Sequence, residues 1–227
     1  MAPGLSRARA AAGGVQVPAF WARAKRRLAA ADPTLGAIIA AHPRIRLTSR
    51  GDPFTTLARS IVGQQISVKA ADAVWGRLVA RCPQLGPDAL LRRRATTLRA
   101  CGLSERKVEY LHDLARHFAK GHLKLDELAQ QDDQAVIDCL TDIRGIGRWT
   151  AEMFLIFNLL RPDVLPADDL GVLKAISRHY LDDEPVAGLL RGAGRAKVLE
   201  LASAWAPYRS VATWYLWRSL DPVPVEY

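Results

Sequence analysis

The residues of this chain that could do chemistry gather in two stretches, "LTDIRGIGRWTAEMF" from Leu140 to Phe154 and "DVLPADDLGVLKAIS" from Asp163 to Ser177. In the first, Gly145 and Gly147 bracket one isoleucine between two helical segments. The reversal they form needs backbone angles or close approaches that a Cβ obstructs. Ile143 and Ile146 can tuck beneath it, and the amide N–H groups from Gly147 onward then point out of a helix N-terminus. That arrangement binds an anion and suits a backbone phosphate. Such a contact positions a nucleic acid without reading its sequence. In the second stretch Asp168 and Asp169 directly precede a helix. By residue type alone each reads as an N-cap, and for Asp169 capping is the stronger reading on these residues alone.

The whole chain agrees with an anionic partner. Among its 227 residues 32 are Lys or Arg and 23 are Asp or Glu, so the formal charge is +9 and the pI about 9.9. Such a balance points to a polyanion, although a basic protein without one has the same composition. Cys82, Cys101 and Cys139 show no C-x-x-C spacing. Neither a zinc site nor a disulfide framework is expected, and a reducing, cytoplasmic compartment fits. No apolar run is long enough to span a bilayer. Residues 1–31 contain no acid, and the start lacks the apolar core of a secretory signal. We expect a flexible basic tail over 1–18 and one domain, or two small lobes, over 19–227.

The elements that must position these groups read as helices. Asp32-Pro33 and Asp52-Pro53 each pair an N-cap with a first-turn proline. Ser67 can cap "VKAADAVWGRLVARC", in which Ala70, Val74 and Leu78 share a face. Ser104 can cap "ERKVEYLHDLARHFAK", whose apolar side carries Val108, Leu111, Leu114, Ala115 and Phe118, with Gly121 closing it. A helix should end near Thr141 and another begin at Gly147 or Arg148. No alternating strand pattern of useful length occurs, so the fold class is all-α. The most punctuated loops are "RCPQLGPD" and "RPDVLPADD".

The full hairpin string, through Thr150-Ala151, resembles the helix–hairpin–helix motif. With "DPFTTLARSIVGQQIS", "GLSERKVEYLHDLA" and "WAPYRSVATWYLWR" in the same order, the chain is similar to the helix–hairpin–helix DNA glycosylases from about Asp32 to Asp221. Within that superfamily it looks most like the alkylation-repair branch, DNA-3-methyladenine glycosylase II. The resemblance implies a bilobal helical fold with the active-site cleft between the lobes.

It also implies roles. Asp169 stands where the family carries its catalytic carboxylate, with Asp168 the less favoured neighbour. Breaking an N-glycosidic bond builds positive charge on the sugar. A fixed anion stabilises that charge and can orient or deprotonate water. A cationic alkylated purine leaves neutral, so no strong general acid is required. Trp149 stands where bifunctional relatives place a nucleophilic Lys, which implies no lyase activity. The base pocket falls on Trp149, Met153, Leu170 and Trp217. Met153 and Leu170 replace aromatics found in relatives. Trp205, Tyr208, Trp214 and Tyr215 are assigned to the core. The resemblance places the DNA wedge at Gln65 and DNA contacts at Gly145, Gly147, Arg148 and Thr150. It implies a sodium or potassium ion on the main-chain carbonyls of Thr141, Ile143 and Ile146. No iron–sulfur cluster is expected, since no cysteine follows Asp169. The expected partner is double-stranded DNA, and the expected state a monomer. The competing readings are a glycosylase for uracil, hypoxanthine or mispaired adenine, a non-catalytic DNA-binding module, and a helical interaction protein.

Overall fold

A computed structural model describes residues 17–220 except positions 50 and 122, so most of the expected basic tail lies outside the described residues. The described chain is helical, with no strand. In order the helices are α1 (Trp21–Ala31), α2 (Pro33–Ala41), α3 (Pro53–Gly63), α4 (Val68–Arg81), α5 (Pro87–Leu91), α6 (Ala95–Arg99) and α7 (Glu105–Ala119). Then come α8 (Leu125–Leu128), α9 (Asp133–Thr141), α10 (Arg148–Phe157), α11 (Leu170–Tyr180), α12 (Val186–Leu189), α13 (Gly192–Ser203) and α14 (Arg209–Leu220).

The starts are fixed by the caps that the sequence offers. Asp32 accepts from the Leu35 amide, Asp52 from Thr55, Ser67 from Ala70 and Ser104 from Lys107. Each bond satisfies an amide that has no partner within its helix. Gly121, at φ +71°, follows the end of α7. The expected apolar face of α7 is buried at Val108, Leu111, Leu114 and Ala115, while Phe118 meets Phe54 edge-on. On α4, Val74 and Leu78 are buried but Ala70 is exposed. The punctuated loop "RCPQLGPD" differs from expectation too, because Pro87 opens the short helix α5.

By packing, the helices sort into two groups. In one, α3 packs on α4, α7 and α10, α7 also packs on α5 and α6, and α9 lies against α10. In the other, α1, α2 and α14 pack together, α11 meets α14 and α12, and α12 meets α13. The chain therefore starts in the second lobe, builds the first, and returns through residues 158–169. Arg209 grips Asp163 with two bonds of 2.7 Å, and Ser210 Oγ donates to Arg161 O while accepting from the Val164 amide, which pins this return segment. Asp32 is the polar node of the second lobe. Besides capping α2 it accepts from Tyr180 Oη and Trp205 Nε1, both at 2.8 Å. Burial and this carboxylate raise the Tyr180 phenol well above its ordinary value. Trp205, Tyr208, Trp214 and Tyr215 are all buried, as the core assignment expects.

Candidate active site

The site begins at the hairpin between α9 and α10. The Ile146 amide donates to Ile143 O at 3.0 Å, and both side chains are buried beneath the turn. Gly145 has φ +85°, and a Cβ there would collide with the Tyr110 ring. The turn is held from outside as well. Asp113 Oδ2 accepts the Arg144 amide at 3.0 Å, and Gln64 Nε2 donates to Gly145 O at 2.7 Å. Burial pushes the Asp113 carboxyl up, but the Arg144 amide, Arg116 and His117 outweigh it and hold it below its ordinary value.

Gly147 is the N-cap of α10 and supplies no side chain to satisfy the first amides of that helix. A Cβ at Gly147 would meet nothing within 4 Å, so nothing inside the protein requires a glycine there. Arg148 folds back, donating from Nε to Glu152 at 3.0 Å and from Nη1 to Gln134 at 3.2 Å. Burial raises the pKa of Glu152, which is only 6% exposed, against the pull of Arg148. Thr150, expected among the DNA contacts, lies in the first turn of α10. Its side chain is 5% exposed, because α10 is buried at every residue from Thr150 to Phe157. Only its main chain can face a ligand at the hairpin. Gln65 is exposed in the turn after α3, with φ +58°. The Gln64 bond places this turn beside the hairpin.

Asp169 faces the start of α10 from the start of α11. Its Oδ1 caps α11 by accepting the Val172 amide at 2.8 Å, and also accepts Trp217 Nε1 at 2.8 Å. Its Oδ2 accepts Trp149 Nε1 at 2.7 Å. A carboxylate offers about four acceptor sites, so these three donors leave roughly one. Trp149 comes from the first lobe and Trp217 from the second, which puts the carboxylate at the junction of the two. Leu170, 55% exposed, stands next to it. Met153 is buried one turn beyond Trp149 on α10. The capping reading of Asp169 is thus correct as far as it goes, but a cap needs one oxygen and one amide.

Asp168, the other capping candidate, does no capping. It is exposed and pairs with Arg195, whose Nη1 also donates to Ala167 O at 2.8 Å. Sequence reasoning missed Arg195 and Gln64, and it missed Phe157, which stacks on Trp217 at 6.0 Å between ring centres. None of these has a local signal, since each acts on a residue far along the chain. Among the described residues no group of three or more His, Cys, Asp or Glu side chains could hold a metal ion. None of the described helices is long and apolar enough to cross a membrane.

The hairpin thus opens a helix whose first amides have no side-chain cap, beside a carboxylate held between two helical lobes: an anion-binding helix start next to a fixed charge. Comparison with known proteins gives the family. Residues 58–191 match the HhH-GPD superfamily of base excision DNA repair proteins. The chain is 35% identical over 179 residues to DNA-3-methyladenine glycosylase 1 of Schizosaccharomyces pombe, covering 77% of this chain and 75% of that one. Its structure is similar to a DNA-3-methyladenine glycosidase from Bacillus halodurans, with TM-score 0.78, 35% identity, and 91% and 93% of the two chains covered. A 3-methyladenine DNA glycosylase of S. pombe in complex with abasic DNA aligns with TM-score 0.71 and 29% identity, over 90% of this chain and 99% of that one. The chain belongs to the HhH-GPD superfamily of base excision DNA repair proteins.

Proposed function

We propose that this protein is a monofunctional DNA glycosylase that hydrolyses the N-glycosidic bond of alkylated purines in duplex DNA and so starts base excision repair. The observation that carries the reading is the Asp169 carboxylate held by three N–H donors from α10, α11 and α14. The Val172 bond is a helix cap; the two indole bonds, one from each lobe, fix the direction of the carboxylate where the lobes meet. Fixed orientation is what a group stabilising a developing charge requires, because it then needs no rearrangement as the bond breaks.

The amides at the start of α10 and the glycine backbone of the hairpin receive a phosphate of the damaged strand. Gln65 enters the stack as the nucleotide leaves it, offsetting a few kcal/mol of lost stacking. The extruded base lies against Trp149, Met153, Leu170 and Trp217. A cationic purine over an indole face gains about 0.5–2 kcal/mol. Asp169 faces the deoxyribose, and its remaining acceptor site meets the oxocarbenium-like sugar or the attacking water. The purine leaves neutral, so no acid has to protonate it. Trp149 offers no amine for a Schiff base, which supports hydrolysis without strand cleavage.

A sodium or potassium ion on the carbonyls of Thr141, Ile143 and Ile146 belongs to the same proposal. Three neutral oxygens suit such an ion, and Ile143 O keeps a second lone pair beyond the Ile146 bond. Its charge would offset that of the bound phosphate.

The test is a lesion panel. Duplexes carrying 3-methyladenine, 7-methylguanine, hypoxanthine, uracil or an adenine mispair are incubated with the protein, with and without borohydride. Release of the methylated purines, with no trapped covalent adduct, supports the reading. Release of uracil or mispaired adenine alone assigns another lesion, and binding without release of any base leaves a DNA-binding module.

A further inference from the structure

Gly171, in Asp-Leu-Gly, lies in the first turn of α11, where an alanine would favour the helix. Its φ is not in the left-handed region, so backbone conformation does not call for glycine. What calls for it is space. A Cβ on Gly171 would sit 3.0 Å from Asp169 Oδ1, 3.0 Å from Trp217 Cδ1 and 3.2 Å from Trp217 Nε1. Those are the acceptor, the donor and the donor's neighbouring carbon in the 2.8 Å bond between Trp217 and Asp169.

The indole has little room to retreat. Phe157 is stacked on it with 14° between the planes, and Trp214 meets it edge-on with ring centres 6.4 Å apart. Phe157 and Trp214 are themselves buried. Asp169 is equally constrained by the Val172 and Trp149 bonds. A methyl group at position 171 would therefore press on both partners of one hydrogen bond, and at least one of them must give by a few tenths of an ångström.

We propose that Gly171 is a positioning residue: the missing side chain is the space through which the Trp217 indole N–H reaches Asp169 and sets the carboxylate's orientation. The inference rests on the assignment of Asp169 as the reacting carboxylate, and it adds a residue that acts only through the position of that carboxylate.

The experiment compares wild type, Gly171→Ala, Trp217→Phe and the double variant. It follows single-turnover release of 7-methylguanine from methylated duplex, binding to an abasic duplex, thermal melting, and the indole N–H proton resonance of Trp217. That resonance is identified by its loss in Trp217→Phe. Gly171→Ala should slow release about tenfold and move the resonance upfield, with abasic-duplex affinity within twofold and a melting temperature unchanged or higher. In the double variant the further loss relative to Trp217→Phe should be well below tenfold, since the Trp217 bond is already gone and only the contact with Asp169 Oδ1 is added. Release within twofold of wild type, an unmoved resonance, or losses that multiply in the double variant would each overturn the inference. Should wild type release no alkylated base, the proposed function fails, and the resonance shift alone still decides the role of Gly171.

Discussion

Replacing Trp149 by phenylalanine removes one N–H and keeps most of the ring. In the structure that N–H is the donor to Asp169 Oδ2, at 2.7 Å, while Oδ1 keeps both Val172 and Trp217. The carboxylate of Trp149→Phe therefore stays attached at one oxygen and becomes free to pivot about it. A hydrogen bond to a charged group contributes about 1.5–3 kcal/mol. If the whole of that orientation is expressed in the transition state, release slows by about 10- to 150-fold, since each 1.36 kcal/mol is a factor of ten. The assay is single-turnover release of 7-methylguanine from methylated duplex, with abasic-duplex binding measured alongside. Binding should change little, because the proposed phosphate contacts come from the main chain of the hairpin, which the substitution leaves in place. Release within threefold of wild type would refute the reasoning, for it would mean that the indole bonds do not orient the reacting group.

Gly145→Ala should disrupt the hairpin by forcing Tyr110 aside, and thermal melting should show it. Gly147→Ala should melt like wild type yet bind duplex DNA several-fold more weakly, since its Cβ meets open space in the free protein. Asp32→Ala removes a cap and strands the Tyr180 and Trp205 donors. It should cost about 3–5 kcal/mol and lower the melting temperature by roughly 8–15 °C. Asp113 has a depressed folded pKa, so its contribution is complete above the ordinary carboxylate range and is lost as pH falls through the folded value. The stability gap between wild type and Asp113→Asn should accordingly be constant near neutrality and narrow below about pH 4. A gap independent of pH in denaturant titrations would contradict that.

Local chemistry was the part of this molecule open to sequence reading. The caps at Asp32, Asp52, Ser67 and Ser104 act three residues away, and Gly145 declares its turn by lacking a Cβ. The helix starting at Arg148 and the position of Asp169 ahead of Leu170 followed from the same kind of signal. Long-range pairings were not legible. Trp149 and Trp217 were expected as walls of a pocket, yet their N–H groups meet on a carboxylate 20 and 48 residues distant. The Gln64 bond to Gly145 spans 81 residues, and no pattern in "GQQIS" announces it. The burial of Thr150 was not legible either, because it follows from the neighbours that cover α10 from Thr150 to Phe157 and not from any local pattern. The space around Gly171 is likewise a property of the packed core, although the glycine itself was visible.

The central claim is that the charge on Asp169 drives bond cleavage. Asp169→Asn keeps one side-chain oxygen able to cap α11 and accept Trp217, removes the negative charge, and turns an NH2 toward the Trp149 N–H in place of Oδ2, so the fold and duplex binding should survive. Under single-turnover conditions with methylated duplex DNA, the account predicts a loss of about 10²–10³-fold in base release with affinity for the abasic duplex nearly unchanged. Equal rates of release by wild type and Asp169→Asn would contradict it.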